Sequence, residues 1–155
     1  MDAAPPRDRA LRRRDALAKL TTPGVDVWAA SAGAGGSGAH LVPLSLAWVD
    51  ERVVVAVHEG SRTARDLHAA GTARLGLGPT RDVVMLDVVL ERAVPVSDPG
   101  AHQLAERYAA QADWDPRDAG AGYLFLVLRP VRIQAWREAN EIAGRTLMRE
   151  GTWLA

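Results

Sequence analysis

Between His40 and Val49 the chain alternates: Val42, Leu44, Leu46 and Trp48 share one parity with His40, and Leu41, Pro43, Ser45, Ala47 and Val49 the other. A period of two predicts a strand, because successive side chains of an extended chain point to opposite faces. Pro43 agrees with this reading, since it would break a helix at its fourth residue but is tolerated in an edge or bulged strand. VDVWAASA, from Val25, predicts a strand before it, so the glycine-rich GAGGSG at 33–38 joins strand to strand as a mobile hairpin. Asp50 and Glu51 then turn the chain into RVVVAVH, a β-branched run too short and too valine-rich for a good helix. Two hairpins in succession predict an antiparallel sheet.

Elsewhere the period changes. An N-terminal helix is expected within residues 1–20, at about 8–20. Ser61 and Gly71 are favoured start and stop residues for a short helix, RTARDLHAA. A strand TARLGLG follows, then a long one from Asp82 to about Val96. Asp98 and Pro99 open an amphipathic helix with Ala101, Leu104, Ala105, Tyr108 and Ala112 on one face and His102, Gln103, Glu106, Arg107 and Gln111 on the other. The last strand runs from Tyr123 to about Trp136, and residues 138–155 read as a mixed tail without periodicity. The result is a mainly β chain with peripheral helices, about six strands in a closed or nearly closed antiparallel barrel.

Composition bounds this picture more than it changes it. At 155 residues the chain is a single domain, 1–155. No apolar run approaches the ~20 residues of a membrane span, and the N-terminus lacks the apolar stretch of a secretory signal, so a cytoplasmic protein is expected. There are no cysteines, which excludes disulfides and thiolate chemistry. The 19 basic residues balance 19 acidic ones, giving no general reason to expect nucleic acid. Arg7, Arg9, Arg12, Arg13, Arg14 and Lys19 read as the solvated face of the first helix. His40, His58, His68 and His102 lack metal-ligand spacing, and no serine has a nucleophile-elbow context, so neither a metal site nor a catalytic nucleophile is expected. Trp28, Trp48, Trp114, Trp136 and Trp153 suit an interface or a planar ligand, with core packing the default for Trp48.

Two stretches carry candidate chemistry. Gly33, Gly35, Gly36 and Gly38 satisfy the dinucleotide-binding pattern, but that motif needs a helix after it and HLVPLSLAW is a strand. EGSRTARDL is more informative: Ser61 caps a helix whose first turn carries Arg62, Thr63 and Arg65, bringing backbone amides, hydroxyls and guanidinium groups into a small volume. That is the chemistry of a phosphate or carboxylate site, and also of an ordinary capped helix with exposed arginines.

HLVPLS, GSRTARDL, the strand opening TRDVVMLD, the late Trp136-Arg137 and the tail GRTLMREGTW together resemble the pyridoxamine 5'-phosphate oxidase-like family of flavin and deazaflavin proteins. The resemblance runs from about Val25 to the C-terminus. It implies a homodimeric, six-stranded split β-barrel with cofactor sites at the subunit interface, binding FMN or a deazaflavin of the F-420 type and acting on a small molecule. Ser61 and Arg62 match the family's serine and arginine at the phosphate, next to Arg65, and Thr63 stands where the oxidases have lysine. His40 and Ser45 stand where those enzymes have arginine and lysine, and His40, Leu41, Val42, Pro43 and Ser45 of HLVPLS look like the deazaflavin-associated branch. Asp82 falls where a glutamine lies near the ring edge, and Trp136 and Arg137 match a tryptophan and neighbouring arginine. Arg145 is present without the histidine that follows it in the oxidases' substrate motif. The neutral His40, Ser45 and Thr63 keep open a non-catalytic carrier of flavin, deazaflavin or haem.

Overall fold

The computed structural model describes residues 4–33 and 38–155. Helix α1 (Arg9–Leu20) starts at Asp8, whose side chain accepts from the Leu11 amide. Strand β1 (Asp26–Ala32) pairs antiparallel with β2 (Ala39–Ser45), Ala32 opposite Ala39, so the glycine-rich stretch does join strand to strand. The expected mobility of that hairpin concerns residues 34–37, which lie outside the described residues. Next come β3 (Ala47–Val49), β4 (Arg52–His58), α2 (Arg62–Ala70), β5 (Thr72–Leu77) and β6 (Val83–Pro95). Helix α3 (His102–Gln111), β7 (Tyr123–Trp136), β8 (Thr146–Arg149) and β9 (Thr152–Trp153) complete the chain.

Among the described residues the sheet has nine strands, not six, in the order β2-β1-β5-β6-β7-β4-β3, with β8 on β7 and β9 on β8. All pairings are antiparallel, and the hydrogen-bonded path is open, not closed into a ring. One extra strand arises because the alternating stretch changes partner at Leu46: Ser45 lies opposite Asp26 in β1, whereas Ala47 lies opposite Val54 in β4. Leu46 itself is wholly buried, and the Trp48 amide donates to Gln111 Oε1 at 2.8 Å, which ties the switch to α3. The other two strands come from the tail. β8 is four residues long, too short to display a period, and is held by the burial of Leu147 and Met148. Pro43 sits in β2, at an end of the path, the kind of edge strand that tolerates a proline.

The core has two parts. One lies under α1 and α2 and includes Leu20, Val27, Val55, Leu67, Leu75, Leu86, Leu128 and Ile133. The other is made where the apolar face of α3 meets β3, β4 and β7: Ala101, Ala105, Tyr108 and Ala112 join Ala47, Val54, Ala56 and Phe125. Tyr108 is fully buried, and burial pushes its hydroxyl up to about 12. Three small alanines on that face let the helix approach closely enough to seat the one large ring.

Candidate functional site

Strand β4 ends at His58, and the chain reverses through Glu59 and Gly60 into α2. The Gly60 amide donates to His58 Nδ1 at 3.0 Å and the Ser61 amide to the His58 carbonyl at 2.9 Å, which fixes where the helix begins. Ser61 Oγ accepts from the Ala64 amide at 3.2 Å, and Gly71 closes the helix at φ +71. The capping expected from sequence is therefore present at both ends. As at any helix start, the first amides have no intrahelical partner and face outward.

Around this start the cations rest largely on backbone oxygens. Arg65 Nη1 donates to the Gly60 carbonyl at 2.6 Å, and Arg62 Nη2 to the Gly38 carbonyl at 2.8 Å. Arg62 Nε also stands 3.6 Å from Asp66, a buried carboxylate that accepts from Ser31 Oγ at 2.9 Å. His40 lies opposite Ser31 in the β1–β2 register, so it belongs to the same corner. Thr63 does not face this corner's surface: it is only 4% exposed.

The rest of HLVPLS extends away. Ser45 is five residues along β2 from His40, ~17 Å in an extended chain, and its hydroxyl lies 3.4 Å from both Asp26 and Asp113. Val42 is half-buried, whereas Leu41 and Pro43 are exposed on the outer surface of the sheet. There the registers align Pro43, Trp28, Gly76, Met85, Gln134 and Thr146 across six strands. Trp28 is 55% exposed and Leu41 60%. A side chain at Gly76 would put its Cβ 3.0 Å from Met85 Sδ, so glycine keeps the row flat at its middle. The sequence signal for this row was the parity of Trp28, opposite to that of the buried Val27 and Ala29.

Asp82, Trp136 and Arg137 lie together at another end of the sheet. Val83 lies opposite Trp136, and Leu77 opposite Val84, whereas Ala30, next to Ser31, lies opposite Arg74. The corner at α2 and the Asp82 end are thus on the order of 15 Å apart along the strands. Asp82 is held by Lys19 at 3.1 Å, Arg137 at 3.4 Å and Arg7 at 3.6 Å. Arg7 also meets Asp15 at 2.9 Å and Glu141 at 2.8 Å. Glu141 is 3% exposed and accepts further from the Arg7 and Arg137 amides. The Arg7 hydrogen bond, opposed by burial, lowers the Glu141 carboxyl from an ordinary 4.5 to about 2. Sequence reading missed this cluster because Arg7 and Glu141 are 134 residues apart.

No protein-family model and no curated protein sequence matches the chain. Solved structures do. An F420 reductase superposes with a TM-score of 0.58 at 16% identity, over 75% of this chain and 94% of that one. A heme binding protein from Mycobacterium smegmatis gives 0.66 at 14% identity, over 97% of this chain and 60% of that one. PhzG from Burkholderia lata, solved with tetrahydrophenazine-1-carboxylic acid, gives 0.55 at 19% identity, over 93% and 87%. The chain has the split-barrel fold of the pyridoxamine 5'-phosphate oxidase-like proteins.

Proposed function

We propose that the chain is a homodimeric oxidoreductase that binds FMN or an F-420 type deazaflavin and exchanges hydride with a small molecule. The observation that carries this reading is the corner at the start of α2, where Ser61, Arg62, Arg65 and outward-facing amides surround one small volume. These residues fit a phosphate. Ser61 Oγ accepts from the helix and still has its own proton to donate, Arg65 rests on a carbonyl oxygen that water can replace, and Arg62 is shared between the Gly38 carbonyl and Asp66. When bound, a flavin-type ring supplies the hydride chemistry, so the chain needs no nucleophile of its own. Its residues hold the phosphate and offer the apolar part of the row, Pro43, Trp28, Gly76 and Met85, against which a ring can lie. The separation of His40, Ser61, Arg62 and Arg65 from Asp82, Trp136 and Arg137 within one protomer supports a site shared by two copies. Trp28 and Leu41, exposed beside the corner, are apolar surface that such a contact would cover.

Purified protein titrated separately with FMN and with an F-420 type deazaflavin, followed by tryptophan quenching, is expected to saturate with one of them. Saturation with neither would sink the proposal. A non-catalytic carrier of flavin, deazaflavin or haem is favoured by one observation: Thr63 is buried and Ser45 is remote, so fewer groups hold the phosphate than in the oxidases that HLVPLS and SRT resemble. Reoxidation of the bound, reduced cofactor by added acceptors separates the two readings, because a carrier shows none above the rate of the free cofactor.

A further inference from the structure

We infer that the cleft between α1 and the β8–β9 hairpin binds an amphipathic anion, an alkyl chain of medium length ending in a carboxylate or phosphate. Two cavities meet there. One, of about 300 Å³, is lined by polar groups, chiefly Arg9, Gln134, Arg145, Thr146 and Arg149. The other, of about 440 Å³, runs along Ala10, Leu17 and Leu154 under a rim formed by Arg9, Arg13 and Arg14. Arg9 and Leu154 line both, so the polar cavity and the apolar one adjoin across these two side chains.

The charge here is one-sided. Among the described residues no acidic side chain lines either cavity, and of these five arginines Arg14 alone meets a side-chain carboxylate, Asp15 at 3.6 Å, while Arg9 meets the last residue, Ala155. Arg145 donates to the Ile142 carbonyl at 3.0 Å and lies over the Trp136 ring at 5.7 Å. Arg13 lies over Trp153 at 4.3 Å, and Arg9 donates to the Ala155 backbone oxygen. Such concentration is unusual in a chain with no net charge, where Arg7, Lys19, Arg52, Arg107, Arg117 and Arg132 each meet a carboxylate. Gln134 makes the cavity more than a solvated arginine surface. It is 8% exposed, forms part of the wall, and is set in place by its 3.2 Å bond to Thr146 Oγ1. An anionic head fits the polar cavity between Arg145 and Arg149. The alkyl chain then passes Arg9 and covers Leu17 and Leu154, removing from water apolar surface that nothing else among the described residues covers.

The test uses octyl phosphate, octanoate, inorganic phosphate and octanol on the protein without added cofactor, read by calorimetry and tryptophan emission. Octyl phosphate or octanoate is expected to bind saturably, at least tenfold tighter than inorganic phosphate or octanol. Affinity is expected to rise roughly fourfold per methylene between butyl and octyl chains, from ~0.8 kcal/mol of burial per CH₂. Arg149→Gln and Arg9→Gln, both at exposed positions, are each expected to weaken binding tenfold or more, and Leu154→Gln to flatten the dependence on chain length. Equal binding of octyl phosphate and inorganic phosphate, or unchanged affinity in both arginine variants, would overturn the inference. Sedimentation with phosphatidylglycerol vesicles without binding of soluble octyl phosphate would also overturn it, in favour of a membrane surface. Since no cofactor is present, a negative result bears on this cleft alone and leaves the reading of the α2 corner untouched.

Discussion

The start of α2 and the docking of α1 are both crowded with charge, yet they are built in opposite ways. At α1, Arg7 is shared by Glu141, Asp15 and Asp82, and Lys19 and Arg137 complete the balance around Asp82. Every charged group there is committed, and Arg7 and Glu141 are almost wholly buried. At α2, Arg65 rests on the Gly60 carbonyl, Arg62 divides itself between the Gly38 carbonyl and Asp66 at 3.6 Å, and the surroundings are partly open. A density of charged residues therefore says little by itself. What separates a clamp from a binding corner is how much of the partnership is with buried ions that a ligand cannot displace, and how much with carbonyl oxygens.

The largest effect is expected from breaking the clamp. Glu141→Gln leaves Arg7 buried without its main counter-ion and should cost about 3–5 kcal/mol of stability, measurable by urea unfolding; a loss under 1 kcal/mol would mean that the cluster is not holding α1. Acid should act on the same bond. Because the folded carboxyl lies near 2 and the free one near 4.5, its contribution is complete above about pH 4.5 and lost as pH falls through about 2. A melting temperature that stays flat between pH 5 and 2 in wild type, or falls as steeply in Glu141→Gln, would contradict this. Next in size, Arg62→Ala should weaken cofactor binding by about 1.5–3 kcal/mol, and an unchanged affinity in a folded variant would show that the phosphate is held elsewhere. Ser61→Ala removes the cap on α2 and should cost about 1 kcal/mol of stability. Smallest of all, Arg81→Ala removes an exposed pair with Glu138, 2.9 Å long, and should change stability by no more than about 1 kcal/mol. If it rivals Glu141→Gln, the contrast between committed and open charge fails.

Elements with a long period were legible in the sequence, and so was the cap at Ser61, because both depend on neighbours within a few residues. The face of α3 was readable for the same reason: Ala101, Ala105, Tyr108 and Ala112 recur at helical spacing and are all buried. What escaped were features decided by distant partners. β8 has four residues and exists because Leu147 and Met148 find a core already built. Asp82 looks like any acidic residue before a strand until Arg7, Lys19 and Arg137 converge on it. The alternation from His40 to Val49 was read as one strand, since the period does not reveal that hydrogen-bonding partners change at Leu46.

That change of partner matters for assembly. β2 and β3 are the two ends of the sheet path, and only Leu46 separates them in the chain. Once β1–β2 and β3–β4 have formed as local hairpins, the two ends are already tethered within a residue of each other, and bringing them together adds almost no loop-closure entropy. The slow step is then expected elsewhere, in the pairing of β1 with β5, where Trp28 must find Gly76 across the intervening chain. The two ends of the open path are thus held near one another early, and the sheet is zipped late through its middle.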